Sequence, residues 1–143
     1  MGLDMYLYAK RYTFDVDQDT KDKLAEVFPE VKAEIKEITA EAAYWRKANA
    51  IHGWFVNNIQ GNVDDCGEYN VDRQQIQDLV TLCKQVLSNK TEAEKLLPPT
   101  PGFFFGAHEV DDWYMENLTN TIEQLEACLK YPEGWYFTYS SSW

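Results

Sequence analysis

Residues 3–9 alternate strictly: Leu3, Met5, Leu7 and Ala9 fall on one side of an extended chain, Asp4, Tyr6 and Tyr8 on the other. A period of two predicts a half-buried strand, because successive side chains of a strand point to opposite faces. Such a strand does not fold alone. Its apolar side needs a packed layer, and the rest of the chain supplies helical stripes to make one.

Asp72 followed by Gln75 reads as a capping box, opening a helix whose inner face is Ile76, Leu79, Val80, Cys83, Val86 and Leu87. A second long helix is predicted over about 110–130, with Trp113 or Tyr114, Leu118, Ile122, Leu125 and Leu129 inside. Trp45, Ala48, Ile51 (or His52), Phe55 and Ile59 step by three and four, which predicts a helix over about 41–60 ending at Gly61. Gly53 inside it carries a helix penalty of about 1 kcal/mol relative to alanine, so close packing or a ligand is expected there. Two shorter helices are predicted, one capped by Thr20 and running to Phe28, one capped by Thr91 with Glu94. Residues 30–40 fit both periods, and a strand is preferred because a sheet of residues 3–12 and the C-terminus alone would be thin. Short strands are expected at Glu68–Val71 and Trp135–Tyr139. Part of the Phe103-Phe104-Phe105 loop should plug the core, since three adjacent rings cannot face one way.

Neither a repeat nor an interior linker interrupts the 143 residues, so a single α+β domain over 1–143 is expected, a small, mostly antiparallel sheet packed by three or more helices. A chain of this size buries about two-thirds of its unfolded surface and needs no staple. No apolar run approaches the roughly 20 residues of a membrane span, and no basic n-region leads an apolar stretch, so neither a membrane nor secretion is expected.

Thirteen Lys and Arg against 24 Asp and Glu give a net charge of −11, and residues 91–143 alone hold nine acids and two bases. That sign repels phosphate backbones, which argues against direct nucleic-acid binding, and suits a basic partner. Cys66, Cys83 and Cys128 are sparse, odd in number and without C-x-x-C spacing, which fits a reducing compartment and no zinc site. Cys83 and Cys128 fall on apolar helix faces and read as core.

Chemistry, if present, would gather at Asp64, Asp65, Cys66 and Glu68, with His52 before them and His108-Glu109 after. The spacing matches no metal or catalytic signature, so no metal, cofactor or catalytic residue is assigned. Trp45, Arg46 and Lys47, expected at the start of the central helix, place two cations beside an indole against the helix dipole. With His52, Asp64, Asp65 and Glu68 they form a candidate site for a small anionic ligand. Five Trp, nine Tyr and seven Phe are more rings than a small core hides. The acids Glu109, Asp111, Asp112 and Glu116, and the aromatic strand residues Trp135 and Tyr139, are therefore candidate partner-binding residues, with self-association as the alternative.

The opening Met1-Gly2-Leu3-Asp4-Met5-Tyr6-Leu7 resembles that of small bacteriophage and prophage proteins. So do Tyr44 to His52, Trp54-Phe55-Val56, the loop Val63–Tyr69, and the stretch from Leu97-Pro98 to Gly106. The likeness covers most of the chain apart from residues 13–40. It implies an origin in phage or prophage and a place in the cytoplasm of a bacterial host, and it implies no activity. With that setting, the expected function is a non-enzymatic binding protein that engages a host protein, such as a defence or nucleic-acid enzyme, through acidic and aromatic surface. Sequestration of an anionic, nucleotide-like ligand is the alternative, and a metal- or thiol-dependent enzyme the third reading.

Overall fold

The alternation at the N-terminus becomes strand β1, Asp4–Tyr12, in a computed structural model that describes residues 2–102 and 105–143. After it come α1 (Gln18–Val27), β2 (Glu37–Arg46), α2 (Asn49–Asn58), β3 (Tyr69–Val71) and α3 (Arg73–Ser88). A 3₁₀ turn (Lys90–Glu92) leads into α4 (Ala93–Leu96), and α5 (Asp112–Leu129) and β4 (Trp135–Ser142) complete the order. The strands form one antiparallel sheet in the order β2-β1-β4-β3, so the first and last strands of the chain lie side by side at its centre. This is the expected α+β class, with helices on one face of the sheet.

Leu3, just before β1, and the inward residues of β1 define the core. Leu3, Met5, Leu7 and Ala9 are fully buried and meet Trp45, Ile51, Phe55, Leu79, Leu118 and Leu125 from the other elements. The capping box at α3 is present, with Asp72 accepting from the Gln75 backbone and the Gln75 side chain accepting from the Asp72 backbone. Cys83 and Cys128 are buried as expected. On α5 it is Tyr114 that turns inward, donating its hydroxyl to the Leu97 carbonyl at 2.7 Å, while Trp113 stays half exposed. The last turn of α5 carries no cation. Arg73 of α3 serves instead, donating to the carbonyls of Tyr131 and Pro132 at 2.7 and 2.8 Å just past the helix end and lying over the Phe137 ring.

The predicted helix over 41–60 is corrected: residues through Arg46 are strand, and the helix starts at Asn49. Ala43 and Trp45 point in, Tyr44 and Arg46 out, but the register slips between Leu7 and Tyr8, leaving Ala42 as an extra residue in β2. A bulge of this kind breaks the alternation and imitates a helical step. Lys47, in the left-handed region at φ 54°, turns the chain from strand to helix. Residues 31–36, expected in a strand, precede β2 and are irregular. The N-cap of α1 is Asp17, accepting from the Thr20 backbone at 2.7 Å, so Thr20 sits inside the first turn. No residue of α1 is buried, and α1 with its flanks forms an excursion between β1 and β2. Phe105 is buried; Phe103 and Phe104 lie outside the described residues.

Close packing explains Gly53. A Cβ there would stand 2.0 Å from Thr100 Oγ1 and 3.3 Å from its Cβ. We expect Gly53→Ala to destabilise the fold by about 1–3 kcal/mol through overpacking, despite the better helix propensity of alanine. Adding Thr100→Ala should recover most of that loss in a denaturation experiment. Equal costs with and without Thr100 would show that the glycine is kept for another reason.

Among the described residues no helix is long and apolar enough to cross a membrane.

Candidate functional site

The edge strand β2 meets α5 through a side chain. The Gln124 amide accepts from the Tyr44 N–H at 2.9 Å and donates to the Tyr44 carbonyl at 3.0 Å, occupying both outward groups of that residue. Trp45, expected beside a ligand, is instead a core residue, 2% exposed, donating its indole N–H to Thr121 Oγ1 at 2.9 Å. Arg46 faces the other way, paired with Asp4 at 3.0 Å on the sheet surface. Lys47 lies at the turn against Gly2 and Gly106. The three residues therefore do not share one pocket wall: Arg46 ends β2 on the sheet surface, and Lys47 alone stands at the entry to α2, just before its N-cap Ala48.

His52 is wholly buried and engaged at both ring nitrogens: Nδ1 lies 2.6 Å from the Tyr139 hydroxyl and Nε2 2.9 Å from Asp64 Oδ2. An ionised carboxylate only accepts, so Nε2 carries the proton and donates to Asp64, while Nδ1 accepts from the tyrosine. Trp143 donates its indole N–H to the other Asp64 oxygen at 3.1 Å. Tyr139, expected to face a partner, is fully buried and stacked on Phe55 with centroids 3.8 Å apart. Burial, and then the nearby Asp64 carboxylate, hold its hydroxyl well above the usual tyrosine range. This chain of bonds ties α2, the 62–68 loop and β4 together. Its imidazole has no free nitrogen for Cys66, which is exposed on the loop in the left-handed region at φ 57°.

The rest of that loop is also locally satisfied. Asp65 accepts from the Tyr69 hydroxyl and the Gly67 N–H at 2.8 and 2.9 Å, which hold its carboxyl below the usual range. Glu68 pairs with Lys10, whose ammonium likewise lowers it. Among the described residues no three His, Cys, Asp or Glu side chains are grouped to hold a metal ion.

Asp111 caps α5 by accepting from the Tyr114 N–H at 2.9 Å, and Asp112 opens its first turn. Glu116 and Trp113 line a shallow groove of about 330 Å³, and Glu109 stands exposed just before the helix. Trp135 is partly buried on the helix side of the sheet, edge-on to Tyr131 at 5.6 Å. The four acids therefore lie in the helix layer, and Trp135 and Tyr139 join them on that side only as packed residues.

What the sequence reading missed is the other face. Tyr6, Tyr8 and Tyr12 of β1, Tyr44 of β2 and Tyr136 of β4 all point away from the helices, and none of these rings belongs to the core or packs against it. Tyr6 and Tyr8 stack with centroids 5.8 Å apart and planes 4° from parallel. Tyr44 leans on Tyr6 at 5.5 Å, and Tyr12 contacts Tyr136 at 5.9 Å and Phe14 at 6.5 Å. Between Lys10, Tyr12, Phe14, Tyr136 and Thr138 runs an open groove of about 800 Å³. Among the described residues, Asp4, Glu37, Glu41 and Glu68 stand around the rings with Lys10 and Arg46, and Asp72, Arg73 and Glu133 border the groove. The signal was present in the opening alternation, where the side turned from the core carries rings where a solvated face carries charge.

The fold and this surface define an α+β domain with one sheet face packed by helices and the other open, aromatic and mildly acidic. No protein-family model, no curated protein and no solved structure matches the chain.

Proposed function

We propose that this is a non-enzymatic binding protein of phage type that engages a protein of its bacterial host, with a defence or nucleic-acid enzyme as the class of target. The observation that carries the reading is the uncovered tyrosine face of the sheet. Tyrosine presents a large rigid area with a polar tip and is favoured where a surface must be wet alone and dry in a complex. A net charge of −11 supports a basic target surface and faster encounter with it. The acids of α5 around Trp113 are a second patch of the same chemistry on the helix side, and the resemblance to phage proteins supplies the host setting.

The test is retention of host proteins from a bacterial lysate by the tagged chain and by a Tyr6→Ala/Tyr8→Ala/Tyr44→Ala variant of unchanged melting temperature. One or a few proteins held by the parent, lost by the variant and released as salt rises from about 0.1 to 0.5 M is the expected result. If the variant retains the same proteins as the parent, or the parent retains none, the sheet face is not the binding surface.

A further inference from the structure

The open face already holds one guanidinium of its own. Arg46 lies between Asp4, which it pairs with at 3.0 Å, and Tyr44, whose hydroxyl also donates to Asp4. One step along the sheet the same elements recur without the cation. Tyr8 sits directly across from Glu41, Tyr6 stacks parallel to Tyr8, and no lysine or arginine pairs with Glu41 among the described residues. Tyr8 and Glu41 are partners in the register just past the bulge, and partnered side chains on neighbouring strands stand about 5 Å apart at Cβ, so a group lying on the Tyr8 ring comes near the Glu41 carboxylate. Lys10, the nearest cation on β1, is drawn to Glu68 and Glu37 instead.

Resting on the proposed binding role of this face, we infer that Tyr8 and Glu41, backed by Tyr6, form a seat for an arginine side chain carried on an extended segment of the partner. A guanidinium is planar, stacks on an aromatic ring and donates two parallel N–H groups to a carboxylate, which is what the ring and acid on this face can use. A lysine ammonium fits the charge but neither the stacking nor the paired donors. The excess of acids over bases around the rings, and over the whole chain, complements a cationic segment and disfavours a second copy of this chain. An extended segment is the form that lies along the sheet face from the Tyr8–Glu41 pair towards the open groove beside Lys10 and Tyr12.

The experiment titrates the intact protein with three short Ser/Gly peptides that differ at one central residue: arginine, lysine or citrulline, the last keeping the shape of arginine without its charge. Ring resonances of Tyr6 and Tyr8 are followed by NMR. The arginine peptide should shift both rings, the lysine peptide should bind several-fold more weakly, and the citrulline peptide roughly tenfold more weakly or not at all, the scale of one charge-assisted hydrogen bond. Glu41→Gln should weaken the arginine peptide by a similar factor and leave the melting temperature unchanged. Equal binding of arginine and citrulline peptides, no effect of Glu41→Gln, or shifts confined to α5 would overturn the seat. If the arginine peptide fails while the triple tyrosine variant still loses its host protein, only the seat is wrong. If that variant keeps its host protein, the binding role of the face fails with it.

Discussion

Replacing His52 by alanine is expected to lower the melting temperature by roughly 10–20 °C, the consequence of losing about 3–5 kcal/mol in a domain of this size. The side chain is wholly buried between the Tyr139 hydroxyl and the Asp64 carboxylate. Its removal leaves a cavity and also strands a buried hydroxyl with no partner. Tyr139→Phe alone keeps the stack on Phe55 and should cost only about 1–2 kcal/mol. The two changes together should cost less than their sum, because the phenylalanine removes the hydroxyl that the alanine orphans. A thermal or denaturant cycle over the four proteins reads this directly. Strict additivity, or a His52→Ala cost below about 1 kcal/mol, would mean that His52 and Tyr139 do not act as a unit.

The second large effect is alkaline. Burial pushes the Cys83 thiol from 9.0 up to about 12 and the Cys128 thiol up to about 11. Burial also raises the hydroxyls of Tyr114 and Tyr139 above the usual tyrosine value of 10.0. In each case the unfolded chain gives up the proton at a lower pH than the folded protein. The stability linked to these groups is therefore complete below about pH 9 and is lost as pH rises toward the folded values. Each such group contributes a slope of roughly 1.4 kcal/mol per pH unit in that window, so the thiols act first and the tyrosines add above pH 10. The denaturant midpoint should be well below its pH 8 value at pH 10.5, and a Cys83→Ala/Cys128→Ala variant should show a smaller relative fall. Equal midpoints at the two pH values would show that these groups titrate alike in both states.

Much of the fold was legible because it rests on local patterns. The two-residue alternation of β1, the Asp72–Gln75 box and the apolar stripes of α3 and α5 each depend on neighbours within a turn or two. The β2 strand was hidden by one extra residue, Ala42, which shifts the phase of the pattern midway along the strand. The site was less legible for two different reasons. His52 and Tyr139 are 87 positions apart and meet only because β1 and β4 pair at the centre of the sheet, a matter of topology that no spacing encodes. The tyrosine face is visible in the alternation of β1, but a period of two says only which residues share a side, not whether helices cover that side, so the role of Tyr6, Tyr8 and Tyr44 depends on the packing.

The Gln124 contact with β2 bears on how this protein keeps its own company. A bare strand edge is a template on which any passing strand can add, and growth from such edges ends in fibres. Here an amide from a helix fills both hydrogen-bonding positions of Tyr44, acting as a one-residue counterfeit of the missing neighbour. At the opposite edge β3 is only three residues long. An open aromatic face adds to the risk of self-association, and these two features shorten the bare backbone on which a second chain could add at either edge.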